Sequence, residues 1–341
     1  MHLDLNLGYW GVGAARATEL LVEVEDLGYR AVWVAESYGS DAVSVLAWVG
    51  AMTHRLLIGS GILQIPARTP AMTAMTAATL DDLSGGRFLL GLGVSGPQVV
   101  EGWHGVAYGH PLVRTREFVE IVRRILARQS PLVFSGDHYE IPYRGEDATG
   151  LGKPLRIIGQ PHPDIPIFLA AIGPRNVSLT AEIADGWLPV LYSPERSANV
   201  FAAALSAGRA VRNPEQGDLE VVPSVQALVT DDLEAGRLAL KPALALYIGG
   251  MGAKGRNFYN DLVMRYGYDE AATKIQDLYL SGQKQEAVAA VPDQLVDELC
   301  LVGPAGRIRD RLEAWQESGV SGLAIGTFDL TTLRTLAELA L

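Results

Sequence analysis

The feature that most limits how this chain can fold is a regular alternation of short β-type runs with longer helical patterns. The β-type runs are residues 3–7, 31–35, 56–62, 88–92, 165–171, 187–191, 219–225 and 323–325. This alternation is typical of parallel sheets whose strands are joined by helices. Eight such runs match the number that closes a parallel barrel, whereas an open doubly wound sheet commonly has about six strands. The sequence therefore predicts an α/β fold, a single (β/α)8 TIM barrel.

Two segments interrupt the alternation and are predicted to be insertions. Residues 129–164 are rich in proline and glycine and indicate a hairpin excursion. Residues 231–300 are mostly helical in pattern and would lie above the site between the seventh and eighth strands, as a lid. No low-complexity tract or proline-rich linker divides the chain, so residues 1–341 are expected to form one domain.

Composition limits the partners and the compartment. With 39 acidic and 28 basic residues the formal net charge is −11, which argues against a nucleic-acid binder and favours a small-molecule substrate. Cys300 is the only cysteine, so the chain can form neither an internal disulfide nor a CxxC motif. The amino terminus lacks a signal-peptide pattern, and no apolar run approaches the roughly 18 residues of a membrane span. These features predict a cytoplasmic protein.

The loops that follow the strands of such a barrel build its active site, and three of them favour a ligand. Residues 58–64 end a strand in small residues that let backbone approach a flat ring, although ordinary close packing explains them too. Residues 91–97 contain glycines without the GxGxxG spacing of a Rossmann site. Residues 170–176 lead from a strand directly into a helix. There, the amides of Gly173, Arg175 and Asn176 could face an anion, with a solvated Arg175 as the alternative.

Aromatic and polar side chains also concentrate at the predicted strand ends. They are Tyr9, Trp10, Glu36, Ser37, Tyr38, Trp103, His104 and Trp187. Large aromatics are common at barrel mouths, so each one alone is as well explained as a core or rim residue; together they favour a pocket for a planar substrate. The predicted substrate pocket consists of Trp10, Tyr38, Trp103 and Trp187. The histidines have neither HxH nor HExxH spacing, so no metal is expected.

Three sequence segments carry a family resemblance. The segment TLDDLSGGRF at residues 79–88, followed by GLG at 91–93, resembles the third-helix and fourth-strand signature of luciferase-like oxidoreductases. The segments GVSGPQ with EGWHG, between residues 93 and 105, and AAIGP at 170–174 are similar to coenzyme F420-dependent members related to methylenetetrahydromethanopterin reductase. The resemblance covers residues 1–230 and resumes near 302.

The resemblance implies a deazaflavin ring at the barrel mouth, backed by a bulge with a non-prolyl cis peptide that maps onto Gly61-Ile62. It also implies that backbone amides after the fifth strand hold the cofactor's phosphate. The predicted cofactor-binding residues are Gly61, Ile62, Gly93, Val94, Ser95, Ala171, Gly173, Pro174, Arg175 and Asn176. Relatives of this kind are often dimers, so a homodimer or higher homo-oligomer is expected.

One departure from the family pattern bears on the direction of the reaction. Relatives that oxidise alcohols or sugar phosphates carry an acid-histidine pair after the second strand, where this chain has Glu36 and Ser37. We therefore expect reduction, with hydride passing from the deazaflavin C5 to a small organic substrate and Glu36 or His104 relaying a proton. Two alternatives stay open, an FMN-dependent monooxygenase of the same superfamily and a flavin-binding protein without catalysis.

Overall fold

The computed structural model describes residues 1–11 and 13–341, and its strands follow the predicted runs closely. The strands are β1 (His2–Gly8), β2 (Ala31–Val34), β3 (Leu57–Ser60), β4 (Leu63–Gln64), β5 (Phe88–Gly93), β6 (Phe134–Ser135), β7 (Glu140–Ile141), β8 (Ile167–Leu169), β9 (Gly186–Trp187), β10 (Glu220–Val221), β11 (Ser224–Val229), β12 (Leu301–Gly303) and β13 (Gly322–Gly326). The helices are α1 (Ala14–Asp26), α2 (Ala42–Met52), α3 (Pro70–Ser84), α4 (Pro97–Gly102), α5 (Pro111–Ala127), α6 (Pro174–Ile183), α7 (Ser197–Arg209), α8 (Leu233–Ala245), α9 (Phe258–Arg265), α10 (Asp269–Leu280), α11 (Lys284–Ala289), α12 (Asp293–Leu299), α13 (Ala305–Glu317) and α14 (Leu330–Ala340).

The parallel strands curl into a ring, which confirms the barrel prediction. Neighbouring strands follow the order β9-β8-β5-β3-β2-β1-β13-β11, with β4 continuing β3 beside β5. Ring closure comes from β10, which pairs with β9, and from β11, which pairs with β13. Because only Val222 and Pro223 separate β10 from β11, one stretch of chain joins both ends of the sheet. The short β12 pairs with the end of β11 and was not predicted.

Two large rings fill the inside of the barrel. The indole of Trp33 meets the ring of Phe168 edge to face, with 5.2 Å between their centroids. Glycines on the adjoining strands make room for them, since a Cβ at Gly59 would lie 2.4 Å from Trp33 and one at Gly186 would lie 2.1 Å from Phe168. The alternate side chains of β1, such as Leu3, belong to the larger apolar core that includes the buried helix faces. The interior is therefore a packed plug.

Charged side chains at the amino-terminal ends of the strands form a buried network below this plug. The carboxylate of Asp4 is fully buried and accepts hydrogen bonds from Trp33 Nε1 at 2.7 Å and from the Arg30 guanidinium at 3.2 and 3.3 Å. Arg30 also pairs with Glu220, which lies 3.3 Å from Nε2 of His2. Burial lowers the pKa of His2 to about 4, although Asp4 opposes that change. These charges are compensated by one another.

The two segments predicted to be insertions contain a short hairpin and a set of helices. β6 and β7 form an antiparallel hairpin whose turn is held by Glu117 of α5, which accepts backbone N–H groups of Asp137, His138 and Tyr139 at 2.7 to 3.0 Å. The second insertion comprises α8 to α12, with a π-helical turn over Leu246–Gly250. In the part of the chain that the structure describes, no helix combines the length and the apolarity needed to cross a bilayer.

Candidate cofactor and substrate site

A cavity of about 770 Å³ opens at the carboxyl ends of the barrel strands. Its floor includes Trp33 of the interior plug, and its cover includes Tyr247 and Tyr259 from the helical insertion. The volume lies within the range of about 300 to 1,000 Å³ that is usual for small-molecule sites. The insertion thus covers the site, as the sequence predicted.

All ten residues predicted to bind the cofactor line this one cavity. They are Gly61, Ile62, Gly93, Val94, Ser95, Ala171, Gly173, Pro174, Arg175 and Asn176. They come from the ends of three strand units that are neighbours in the ring, β3 with β4, β5 and β8. The fold brings them together because parallel strands expose all of their carboxyl ends at the same face.

One end of the cavity is the amino terminus of α6. Gly173 precedes the helix, Pro174 occupies its first position, and no side chain among the described residues caps it. The amides of Arg175 and Asn176 belong to the first turn, where a helix has no internal acceptor for its N–H groups. Arg175 is exposed and makes no ion pair with any residue described. Free amides, a helix dipole and an unpaired guanidinium are features with which the starts of helices bind anions.

The wall next to this end is a bulge in the sheet. β3 pairs with β5 up to Gly59, and pairing with β5 resumes only at Leu63, the first residue of β4. Between them, the Ser60 hydroxyl replaces the missing backbone contacts, since it donates to the Gly91 carbonyl and accepts the Gly91 N–H, both at 2.8 Å. The peptide bond between Gly61 and Ile62 is cis, as the resemblance implied.

Two observations indicate that a flat polar ligand fits against this wall. A Cβ at Gly93 would lie only 2.8 Å from Cγ1 of Ile62, so glycine there lets Ile62 lie flush with the β5 backbone. The side-chain oxygen of Gln64 is buried and has no hydrogen-bond partner among the described residues, while its Nε2 donates to the Ser37 carbonyl at 2.9 Å. A buried polar atom of this kind normally has a partner, and a bound ligand can supply one.

Glu36 lies in the cavity wall, but its carboxylate is already occupied. It accepts hydrogen bonds from the backbone amides of Ala42 at 3.1 Å and Gln64 at 3.2 Å, and from the Arg68 guanidinium at 3.2 and 3.4 Å. With that many donors, the carboxylate fixes the start of α2 and the position of Gln64. The prediction of Glu36 as a proton relay is therefore not supported.

The other predicted side chains divide between the cavity and its surroundings. Tyr38 lines the cavity, whereas His104, Trp10, Trp103 and Trp187 do not. Trp187 is fully buried and donates Nε1–H to the Ala171 carbonyl at 2.9 Å, so it supports the wall from behind. Trp10 packs edge to face on Trp48, and Trp103 is 66% exposed. The prediction that these three tryptophans and His104 line the site is therefore corrected. A position near the end of a strand does not by itself determine which way a side chain points.

Several lining residues were missed or left without a role. Tyr108, Tyr247 and Tyr259 line the cavity together with Tyr9. The rings of Tyr247 and Tyr259 pack edge to face, with 4.9 Å between their centroids. Arg256 lines it as well and makes no ion pair with a described residue. Three of these residues lie in the insertion, where the sequence carries no motif that predicts their direction. The Gly249-Gly250 pair next to Tyr247 was the nearest available signal.

The sequence matches the family model described as luciferase-like monooxygenase over residues 4–322. The chain belongs to the luciferase-like monooxygenase family. The match extends from β1 to the first residue of β13, which agrees with the barrel seen here and confirms the predicted family. Its members are enzymes, and this luciferase-like chain is an oxidoreductase.

Individual relatives refine the position within the luciferase-like family. The chain is 46% identical to a Mycobacterium tuberculosis protein named "Putative coenzyme F420-dependent oxidoreductase", with 99% of both sequences covered. Among solved structures it is similar to the coenzyme F420-dependent tetrahydromethanopterin reductase of Methanopyrus kandleri, with a TM-score of 0.78, 21% identity and coverage of 99% and 97% of the two chains. It also resembles an F420-dependent secondary alcohol dehydrogenase in complex with an F420-acetone adduct, with a TM-score of 0.77, 18% identity and coverage of 99% and 98%. At these identities the two structures establish the shared barrel fold.

Proposed function

We propose that this protein is a coenzyme F420-dependent oxidoreductase that transfers a hydride between the deazaflavin C5 and a small organic substrate. Three lines of argument support F420: the 46% identity to the M. tuberculosis protein of that name, the sequence segments around residues 91–105 and 170–174, and the geometry of the cavity. When bound, the deazaflavin supplies a two-electron hydride. The protein's part is to bind, to orient and to provide a proton.

The observation that carries the proposal is the uncapped start of α6 beside a glycine-lined wall in a single cavity. The amides of Gly173, Arg175 and Asn176 would bind the cofactor's phosphate. The bulge at Gly61-Ile62 and the bare backbone at Gly93 would hold one face of the ring, leaving the other face to the substrate. Such fixed positioning is how a protein favours a direct transfer.

The reductive direction is supported by the state of Glu36. Its carboxylate is saturated by Ala42, Gln64 and Arg68, and Ser37 follows it in the chain, so this position has no free base to remove a proton from an alcohol. Oxidation of an alcohol needs such a base within reach. We therefore propose that the physiological reaction is the reduction of an electron-poor double bond.

The test is an anaerobic titration of the protein with F420 and, separately, with FMN, followed by ligand fluorescence at matched salt and pH. Selective binding of F420 is expected. Selective binding of FMN would instead assign the protein to the oxygen-using branch of the family, and reduced F420 that is never consumed across a broad panel of electron-poor substrates would indicate binding without catalysis.

The Gly173→Val variant tests the phosphate site itself. No atom lies within 4 Å of a Cβ built on Gly173, so the valine side chain fits the fold and extends into the open space in front of α6. The matched control is Gly39→Ala, also unobstructed and at the barrel mouth but outside the cavity lining. Equal F420 affinity in the two variants would contradict the proposal that the phosphate binds at the start of α6.

Two further features are part of the proposal. Residues 1–341 form one domain, because both insertions leave and rejoin the same ring of strands. The protein forms a homodimer or a higher homo-oligomer in the cytoplasm, which analytical ultracentrifugation and localisation of a tagged chain would check.

A further inference from the structure

The cavity contains very few groups that can give up a proton. Its titratable lining residues are Glu36, Arg175, Arg256 and the tyrosines 9, 38, 108, 247 and 259. The Glu36 carboxylate is already occupied by its donors, and arginine does not release its proton in proteins. A reduction needs one proton for every hydride, so the remaining protein donors among the described lining residues are tyrosines.

Tyr9 lies across the barrel from the start of α6. In the ring of strands, β5, β3 and β2 separate β8 from β1 on one side, and β9, the β10–β11 stretch and β13 separate them on the other. The α6 amides follow β8, while Tyr9 directly follows β1. A ligand whose phosphate rests on α6 therefore has Tyr9 at the opposite end of the cavity.

Tyr9 has the environment of a donor. The hydroxyls of Ser37 and Tyr247 lie close to that of Tyr9, and both act to lower its pKa. Burial nevertheless raises the pKa of Tyr9, with Tyr38 adding to the effect, so the hydroxyl keeps its proton at neutral pH. Burial likewise raises the pKa of Tyr247 and Tyr259 behind it. The residue as a whole remains 48% exposed.

The surroundings of Tyr9 select the kind of substrate. The rings of Phe258, Tyr108 and Tyr247 give this end of the cavity aromatic walls, which favour a flat molecule. The unpaired charges that line the cavity are arginines, since the charge of Glu36 is compensated by Arg68. A cationic substrate would therefore be disfavoured.

We propose that Tyr9, supported by Tyr247, is the catalytic proton donor to the carbonyl oxygen of a planar, uncharged α,β-unsaturated carbonyl compound; this rests on the proposed F420-dependent reduction. The hydride forms a new C–H bond at the β-carbon, and the π electrons move onto the carbonyl oxygen. That oxygen takes the proton as the O–H bond of Tyr9 breaks, which gives the enol of the saturated product. The Tyr9 phenolate recovers a proton from solvent, while the cofactor is oxidised by two electrons.

The first experiment needs no cofactor. The probe is 4-(dimethylamino)cinnamaldehyde, a planar conjugated aldehyde whose absorption moves to longer wavelength when its carbonyl accepts a hydrogen bond. We expect a red shift on binding to the wild type and to Tyr143→Phe, the matched control with a 60% exposed ring outside the cavity lining. Tyr9→Phe should lose most of the shift and bind the probe about two- to tenfold more weakly.

The second experiment measures anaerobic turnover of cinnamaldehyde with reduced F420. Tyr9→Phe should lower kcat by about a hundredfold or more, with a much smaller change in KM and unchanged F420 affinity. A retained red shift or a normal kcat in Tyr9→Phe would contradict the proposed role of Tyr9 as proton donor. The absence of any red shift in the wild type would contradict the proposed substrate class. Loss of F420 binding in the wild type would instead contradict the proposed function, and the probe spectrum would still report on Tyr9.

Discussion

The two faces of the barrel use polar side chains in opposite ways. At the amino-terminal face, Arg30 pairs with both Asp4 and Glu220, and Asp4 also accepts a hydrogen bond from the indole of Trp33. These side chains are largely shielded from water. At the carboxyl-terminal face, Arg175 and Arg256 have no ion-pair partner among the described residues. Both faces belong to the same eight strands, so strand geometry does not explain the difference.

The difference shows which polar groups stabilise the fold and which are left for a ligand. Charges that satisfy each other contribute to folding and have no capacity left for binding. Groups left unsatisfied at a cavity have a use only when something binds there. Glu36 is the exception that supports this division: it lies at the cavity, yet its carboxylate is fully paired, and its role is structural.

The largest effect is expected at the amino-terminal face. Asp4→Asn keeps an acceptor for Trp33 but removes the charge that faces Arg30. Breaking such a buried pair should lower the free energy of unfolding by about 3 kcal/mol, measured by urea denaturation. F420 affinity should stay within about twofold, because free energies at distant sites are nearly independent. If Asp4→Asn had normal stability but a large loss of F420 affinity, the proposed separation between stabilising groups at one face and ligand-binding groups at the other would be wrong.

A pH dependence follows from His2. Its pKa in the folded protein is about 4, below the usual 6.5, with burial as the main cause; Asp4 opposes the change and Arg30 and the amino terminus add to it. Below pH 6.5 the unfolded chain therefore binds more protons at His2 than the folded one. The contribution of His2 therefore leaves the free energy of unfolding highest above pH 6.5 and lowers it by about 3 kcal/mol as the pH falls from 6.5 to 4.

The control for this effect is His2→Gln. The loss of stability between pH 6.5 and pH 4 should be smaller in His2→Gln than in the wild type. Identical pH profiles would mean that His2 titrates normally and that the network tolerates its charge.

At the carboxyl-terminal face, Gly173→Val should weaken F420 binding by at least about tenfold, which corresponds to about 1.4 kcal/mol, by crowding the phosphate. Its unfolding midpoint should match that of the wild type, since the new side chain meets no protein atom. Reduced stability with normal affinity would be the reverse of the expected pattern.

The smallest effect is expected for Arg256→Gln. Removing one exposed, unpaired charge at the cavity should weaken F420 binding by about two- to threefold, and the difference should shrink as salt is added. Lys254→Gln is the matched control, because Lys254 lies on the same loop, pairs with Asp277 and does not line the cavity. Equal affinities for the two variants would show that free charge at the mouth does not contribute to binding.

Much of the site could be predicted because backbone forms it. The small residues after β3, the bare Gly93 and the Gly173-Pro174 start of a helix each leave a mark in the sequence. A Cβ at Gly93 would clash with Ile62, and proline is favoured at the first position of a helix. The side-chain predictions fared worse. Trp187 and His104 occupy the expected places along the chain but do not line the cavity, and the pairing of Glu36 with Arg68 joins residues 32 apart in a way that no local pattern indicates.

The sequence by itself determined the family, the parallel barrel and the backbone segments that line the cavity. These depend on local periodicity and on the special backbone conformations of glycine and proline, which are properties of short segments. Only the tertiary structure decided which strand-end side chains enter the cavity, which charges cancel, and that Tyr9 meets Tyr247 from an insertion more than two hundred residues away. The physical reason is that side-chain direction and charge compensation are set by neighbours in space, and in a closed barrel those neighbours come from distant parts of the chain.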